Sequence, residues 1–205
     1  MTALIVAPHS DDEVYGCTSF LTDPNLDKTV LYITAKHPDV PSDQLMAERL
    51  RVGDLTGASQ IVWDFPTNGL SEVPQAKLIH AIESELEVTR PEFLLLPAPS
   101  YNQDHRAVTD AALTAARPHD LNWFVPKILL YEQPETFGTL RKPDPFRPTY
   151  FRALDINQKA ALYEAYSTQI RGHRSFNHIC TIAELRGMQS NQRYAEAFEV
   201  LRWVE

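Results

Sequence analysis

The chain has 205 residues, of which 43% are hydrophobic and 22% are charged, and its formal net charge is -8 at pH 7. This length predicts one domain over residues 1–205 with a substantial core. An acidic chain repels phosphate backbones, so we expect no nucleic-acid partner. The apolar runs are shorter than the ~20 residues that cross a bilayer, so we expect no membrane partner either.

Cysteine usage and the first basic residue bear on the compartment. The sequence contains two cysteines, Cys17 and Cys180, and its first basic residue is Lys28. So few thiols are typical of a reducing compartment, and a secretory signal would begin with positive charge. We therefore expect a cytoplasmic protein. The oligomeric state is left open by the sequence.

The first half of the chain alternates strand-like and helix-like segments. The predicted strands are Ala3–Ala7, Thr29–Ala35, Gln60–Phe65 and Phe93–Leu96, and the predicted helices are Glu13–Leu21, Ser42–Ala58, Pro74–Val88 and His105–Ala116. Such alternation predicts an α/β fold, with a mostly parallel sheet and helices on both faces, in a single domain.

The second half is less regular. Two strands are predicted at Lys127–Glu132 and Thr149–Leu154, and two helices at Asp155–Tyr166 and Gln189–Val204. Between the predicted strands lies Pro134–Pro148, which carries four prolines. A loop of that length inside a compact domain is often a lid or a binding loop.

A polar cluster directly follows the first predicted strand. His9, Asp11, Asp12 and Glu13 fall within five residues, at the sheet edge where α/β folds bind ligands. Crowded carboxylates repel one another unless a cation holds them, and imidazole and carboxylate suit Zn²⁺. His9 and Asp12 are therefore candidate metal ligands. The alternative is an ordinary helix N-cap followed by an acidic first turn.

A third ligand is expected from the end of another strand. His105 stands at the start of the helix predicted after Phe93–Leu96, so it is the candidate. Asp104 beside it can cap this helix or orient a neighbouring group. Asp11 is left as the candidate general base, which removes a proton from a metal-activated water during amide hydrolysis. The same ligands also suit Fe²⁺.

These residues resemble the motifs of the LmbE-like, or PIG-L-type, N-acetylglucosaminyl deacetylases. The family motifs A-H-P-D-D-E and H-x-D-H stand here as Ala7–Glu13 and Asn102–His105. The resemblance continues in the same order through Glu48–Ala58, Phe65–Leu70, Lys159–Gln169 and Arg186–Phe198. It thus covers nearly the whole chain.

The resemblance implies a Rossmann-like fold, within a single LmbE-like deacetylase domain. It implies a zinc ion held by His9, Asp12 and His105, with Asp11 as the general base. The implied reaction removes acetyl from an N-acetylated amino sugar or sugar conjugate. Two alternatives stay open: a metal-dependent amidase that acts on a non-sugar acylated amine, and a non-catalytic sugar-binding homologue.

The sequence departs from the family pattern at four positions. They are Ser10 for proline, Leu45 for arginine, Thr67 for aspartate and Asn102 for histidine. Asparagine can donate a hydrogen bond to an oxyanion but cannot act as a general acid. Either Asp11 then carries both proton transfers, or His173 or His178 substitutes. We count Asn102 and Asp104 with Asp11 among the candidate catalytic residues.

Five residues are candidates for substrate binding. They are Arg49, Arg51, Asn68, Tyr101 and His173. The two arginines bind a sugar hydroxyl or an anionic group, or they lie on a solvated helix face. Tyr101 stacks on a sugar or packs against its own loop, and His173 belongs to a basic segment expected at the rim of the site.

Overall fold

The computed structural model describes residues 1–133, 146–170 and 172–205, and the side chain of His173 lies outside this description. The strands are β1 (Thr2–Ala7), β2 (Asp27–Tyr32), β3 (Ser59–Val62), β4 (Phe93–Pro97), β5 (Lys127–Tyr131), β6 (Tyr150–Ala153) and β7 (Ala195–Trp203). The α-helices are α1 (Asp12–Leu21), α2 (Ser42–Thr56), α3 (Gln75–Thr89), α4 (Gln103–Ala115), α5 (Ile156–Ala165) and α6 (Phe176–Ser190). Within the described residues, 3₁₀ turns lie at Leu70–Glu72, Ser167–Gln169 and Gly172–Arg174.

The strands form one seven-stranded sheet in the order β3-β2-β1-β4-β5-β7-β6. The pairs from β3 across to β5 are all parallel. β7 is antiparallel to both of its neighbours, β5 and β6. The sheet is therefore mostly parallel, and the predicted α/β fold is confirmed.

Helices cover both faces of the sheet because each central strand is apolar on both sides. In β1, Ile5 belongs to one buried cluster, which includes residues of α1, α2, α5 and α6. Its neighbour Val6 belongs to a second buried cluster, which includes residues of α3 and α4. Successive side chains of a strand point to opposite faces, so these clusters are the two cores of a three-layer structure.

Helix α1 lies unusually close to the sheet at Gly16. A Cβ atom at this position would come 2.3 Å from Tyr131 Cδ2 and 2.8 Å from the Glu132 carbonyl oxygen. Only glycine allows this approach. The close packing fixes the position of α1, which begins at Asp12, against the end of β5.

The C-terminal region differs from the sequence prediction. The helix predicted over Gln189–Val204 is wrong: α6 ends at Ser190 and β7 occupies Ala195–Trp203. Alanine, glutamate, leucine and arginine favour a helix locally, but the gap between β5 and β6 is filled by a strand. Helix α6 itself was not predicted. Most of the predicted loop Pro134–Pro148 lies outside the described residues.

Among the described residues, no helix combines the length and apolar character needed to cross a membrane.

Candidate metal centre and cleft

The candidate site lies where the order of the strands reverses. The chain runs outward from β1 through β2 to β3 and then returns to β4, on the other side of β1. In open α/β sheets, ligands bind at the carboxyl ends of strands at such a switch point. His9 follows β1 and His105 lies in the first turn of α4, which follows β4. The topology therefore brings together two residues 96 positions apart in the sequence.

Three predicted ligands converge at this point. One ligand atom from each of His9, Asp12 and His105 lies within 4.8 Å of the others. Asp12 Oδ2 is 3.3 Å from His9 Nδ1 and 3.4 Å from His105 Nε2. Among the described residues, His105 Nε2 is buried without a hydrogen-bond partner. Buried polar atoms are normally paired, and a His-Asp-His donor set suits a divalent cation, so these residues could hold a metal ion.

The second nitrogen of each imidazole has a partner of its own. His9 Nε2 is 3.0 Å from Asp104 Oδ2, and His105 Nδ1 is 3.2 Å from Ser100 Oγ. Histidines that ligate metals commonly use their other nitrogen in this way, which fixes the ring orientation. The arrangement leaves His9 Nδ1 and His105 Nε2 as the atoms that face Asp12.

Asp104 supports His9 and does not cap its helix. The cap is Asn102, whose Oδ1 accepts a hydrogen bond from the Asp104 amide at 2.9 Å, and α4 begins two residues before the predicted start. The Asp104 carboxylate accepts hydrogen bonds from the amides of Asn68 at 2.7 Å and Leu70 at 3.0 Å. Its oxygens therefore contact the loop at Asn68 and Leu70 and the ring of His9. The prediction that the Asp104 side chain caps the helix is wrong.

The electrostatics of the cluster favour a bound cation. Burial disfavours the charged form of His9, but hydrogen bonds to Asp104 and Asp12, and their negative charges, raise the pKa of His9 to about 10. Burial also disfavours ionised Asp12, but the charge of His105, together with a hydrogen bond and the charge of His9, holds the pKa of Asp12 well below its usual range. A site that retains positive charge so strongly also stabilises a metal cation.

Asp11 faces the cleft beside these residues. It occupies the N-cap position of α1 with a left-handed φ of 97°, yet its side chain makes no capping hydrogen bond. Its Oδ2 accepts a hydrogen bond from Arg174 Nη1 at 2.6 Å. The arrangement differs from the ordinary N-cap considered as an alternative. Arg174 was not predicted from the sequence, and its one signal was its position within the basic segment 171–178.

Glu13 has a structural environment. Its side chain accepts hydrogen bonds from the Tyr32 hydroxyl at 2.8 Å, the Tyr166 hydroxyl at 2.7 Å and the Asp11 amide at 3.2 Å. Burial raises the pKa of Glu13 to about 8, although the two tyrosine hydrogen bonds lower it. These contacts tie the first turn of α1 to β2 and to the end of α5.

An open cleft of about 200 Å³ leads to the candidate centre. Its lining includes His9, Asp11, Thr67, Asn68, Asn102 and Arg174. The structure therefore brings the candidate base, one candidate ligand and two further predicted site residues, Asn68 and Asn102, to one surface.

Three other predicted substrate residues lie outside the cleft lining. Arg49 is buried, and its Nη1 donates to Ser10 Oγ and to the Ala35 carbonyl oxygen, both at 3.0 Å. Arg51 is exposed two residues further along α2, and Tyr101 is 37% exposed. None of the three is among the described residues that line the cleft. His173 falls in the turn Gly172–Arg174, but its side chain lies outside the described residues.

Comparison with known proteins identifies the family. The family model of PIG-L, described as GlcNAc-PI de-N-acetylase, matches residues 4–116. This match spans more than half of the chain and includes all three candidate metal ligands. The protein therefore belongs to the PIG-L family, a family of deacetylases, as its motifs indicate. No curated protein matches the sequence.

Solved structures share the fold across the whole chain. The conserved protein TT1542 of Thermus thermophilus is 22% identical, with 99% of this chain and 96% of that chain covered and a TM-score of 0.80. The N,N'-diacetylchitobiose deacetylase of Pyrococcus horikoshii is 16% identical, with 98% and 84% covered and a TM-score of 0.74. GalB, the 4-carboxy-2-hydroxymuconate hydratase of Pseudomonas putida, is 20% identical, with 100% and 98% covered and a TM-score of 0.73.

Proposed function

We propose that this protein is a metal-dependent N-deacetylase that hydrolyses the acetamide of an N-acetylated amino sugar or sugar conjugate. The observation that carries the proposal is the cluster of His9, Asp12 and His105, beside Asp11 at an open cleft. Membership of a deacetylase family supports the same reaction. Zn²⁺ is the proposed metal, and Fe²⁺ is the alternative that the same donor set suits.

The proposed chemistry assigns a separate task to each residue. A divalent ion held by His9, Asp12 and His105 would supply Lewis acidity and activate water. Asp11 removes a proton from the attacking water as its oxygen bonds to the acetyl carbon. The carbon–nitrogen bond then breaks and Asp11 returns the proton to the leaving nitrogen, which gives acetate and a free amine.

Asn102 and Asp104 are proposed in supporting roles. Asn102 lines the cleft, where its side-chain amide can donate to the oxygen that becomes negative during attack. Asp104 acts through His9, which it contacts at 3.0 Å. Asn68 is kept as a substrate contact because it lines the cleft, whereas Arg49 is proposed to support Ser10 and the strand end.

The experiment is a comparison of wild type with Asp11→Asn, assayed for acetate release over a panel of N-acetylated amino sugars. Removal of a general base typically costs 10²–10⁴-fold in rate, so we expect a loss on the order of 10³-fold with the metal content unchanged. Asp39→Asn is the matched control, because Asp39 lines the same cleft outside the ligand cluster. Equal rates for wild type and Asp11→Asn would show that Asp11 is not the general base.

The panel also includes non-sugar N-acetyl amines and an unsaturated carboxylate. If only the non-sugar N-acetyl amines were hydrolysed, the proposed reaction would stand and the proposed substrate class would change. Hydration of the unsaturated compound alone would replace the proposed reaction with the one named for GalB, which shares the fold. Tight sugar binding without turnover in the metal-loaded protein would indicate a binding homologue.

A further inference from the structure

The carboxylate of Asp11 is held by a guanidinium from a distant part of the chain. Arg174 Nη1 donates to Asp11 Oδ2 at 2.6 Å, across 163 positions of sequence. The Asp11 side chain is 4% exposed, whereas that of Arg174 is 21% exposed. Both residues line the same cleft. A short charge-assisted hydrogen bond in a largely buried position holds both groups in one geometry.

A hydrogen bond attaches the segment that carries Arg174 to the core. It is the short turn Gly172–Arg174 between α5 and α6. The hydroxyl of Tyr163, a buried residue of α5, donates to the Arg174 carbonyl oxygen. Gly172 has a φ of 51°, in the left-handed region that glycine adopts readily. The guanidinium is thus presented to Asp11 from a turn attached to the core.

The Asp11 carboxylate does not cap the helix that follows it. The side chain makes no capping hydrogen bond to α1, and the Asp11 amide donates instead to Glu13 Oε2 at 3.2 Å. Its backbone φ of 97° is rare for a residue other than glycine and is found where the surroundings enforce it. The contact with Arg174 therefore contributes directly to where the carboxylate points.

We propose that Arg174 is a positioning residue, which holds Oδ2 of Asp11 and so sets the direction of the carboxylate toward the cleft. This proposal rests on the proposed function, in which Asp11 is the general base. Arg174 acts through Asp11 and takes no proton itself, because a guanidinium remains charged at neutral pH.

Kinetics of Arg174→Ala and Arg174→Lys give the first test. Misplacement of a catalytic group by about 1 Å can cost 10²-fold, so we expect kcat of Arg174→Ala to fall on the order of 10²-fold, with KM and metal content unchanged. Arg174→Lys should retain more activity because it keeps the positive charge. Millimolar guanidinium should restore part of the kcat of Arg174→Ala, an effect that a merely destabilised protein would not show.

Arg152→Ala is the matched control. Arg152 Nη2 lies 2.6 Å from Asp23 Oδ2, with side chains 19% and 18% exposed, and the pair is outside the cleft lining. Its removal deletes an ion pair of the same length without touching Asp11, so kcat should stay at the wild-type value. A wild-type kcat for Arg174→Ala, or a loss that guanidinium does not restore and that follows metal content, would overturn the proposal.

A crystal structure of Arg174→Ala gives a readout that does not depend on activity. We expect the Asp11 carboxylate to turn away from its wild-type direction while His9, Asp12 and His105 stay in place. An unchanged Asp11 side chain would overturn the positioning role even if the variant were inactive. If the wild type released no acetate from any substrate, the proposed function would fail, and this structure would still decide the positioning role.

Discussion

At the scale of single residues, the two histidines of the candidate centre are oriented by different partners. His9 is held by Asp104 and His105 by Ser100, and each partner contacts the nitrogen that faces away from Asp12. The sequence predicted the three candidate ligands because His9 and Asp12 both follow the end of one strand and His105 follows the end of another. It could not predict which nitrogen each ring presents, because that depends on contacts formed only in the folded chain.

Asp104→Asn tests the support of His9. Removing the partner of a metal-ligating histidine typically costs 10–100-fold in metal affinity, so we expect a loss on the order of that range for Zn²⁺. The measurement is competition with a chromophoric chelator, and circular dichroism shows whether the fold is kept. Asp110→Asn is the control, since Asp110 is exposed on the same helix. Equal Zn²⁺ affinity in wild type and Asp104→Asn would contradict the supporting role.

At the scale of elements, local sequence predicted the first half of the fold better than the second. β1, β2, β3 and β4 are short strands separated by helices, and each was predicted close to its observed position. The prediction failed for β7 because the position of this strand between β5 and β6 is set by long-range pairing. Glu196 of β7 is buried, and its Oε1 lies 2.6 Å from Nζ of Lys159 in α5. No local sequence pattern indicates this contact.

The start of α4 combines a structural and a proposed catalytic role in Asn102. Its Oδ1 caps the helix, and its amide is proposed to donate to the developing oxyanion. Asn102→Asp keeps the capping oxygen and should leave the free energy of unfolding nearly unchanged, whereas Asn102→Ala should lose about 1 kcal/mol. Both variants lack the donor, so acetate release should fall about 10²–10³-fold in each.

Urea unfolding and initial rates of acetate release separate these two roles of Asn102. If Asn102→Asp were as unstable as Asn102→Ala, the capping role of the side-chain oxygen would be wrong. If Asn102→Asp kept the wild-type rate, the oxyanion role would be wrong instead.

At the scale of the whole molecule, the sheet topology makes the site. The reversal of strand order between β1 and β4 places the ends of two neighbouring strands side by side, and the candidate ligands follow them. This half of the site could be predicted because motifs at strand ends are visible in the local sequence. Arg174, which lines the other side of the cleft, lies in a turn after α5. Its contact with Asp11 could not be predicted, because that contact depends on how the C-terminal helices pack.

Titration of the metal-free protein with Zn²⁺, followed by acetate release from an N-acetylated amino sugar, is the decisive experiment for a metal-dependent deacetylase. We expect activity to rise linearly and to stop rising at one ion per chain. Asp12→Ala, which lacks the central carboxylate, should show neither tight binding nor turnover. Acetate release at the full rate from thoroughly chelated protein would contradict a catalytic metal at His9, Asp12 and His105. Full activity of Asp12→Ala in the presence of Zn²⁺ would contradict it as well.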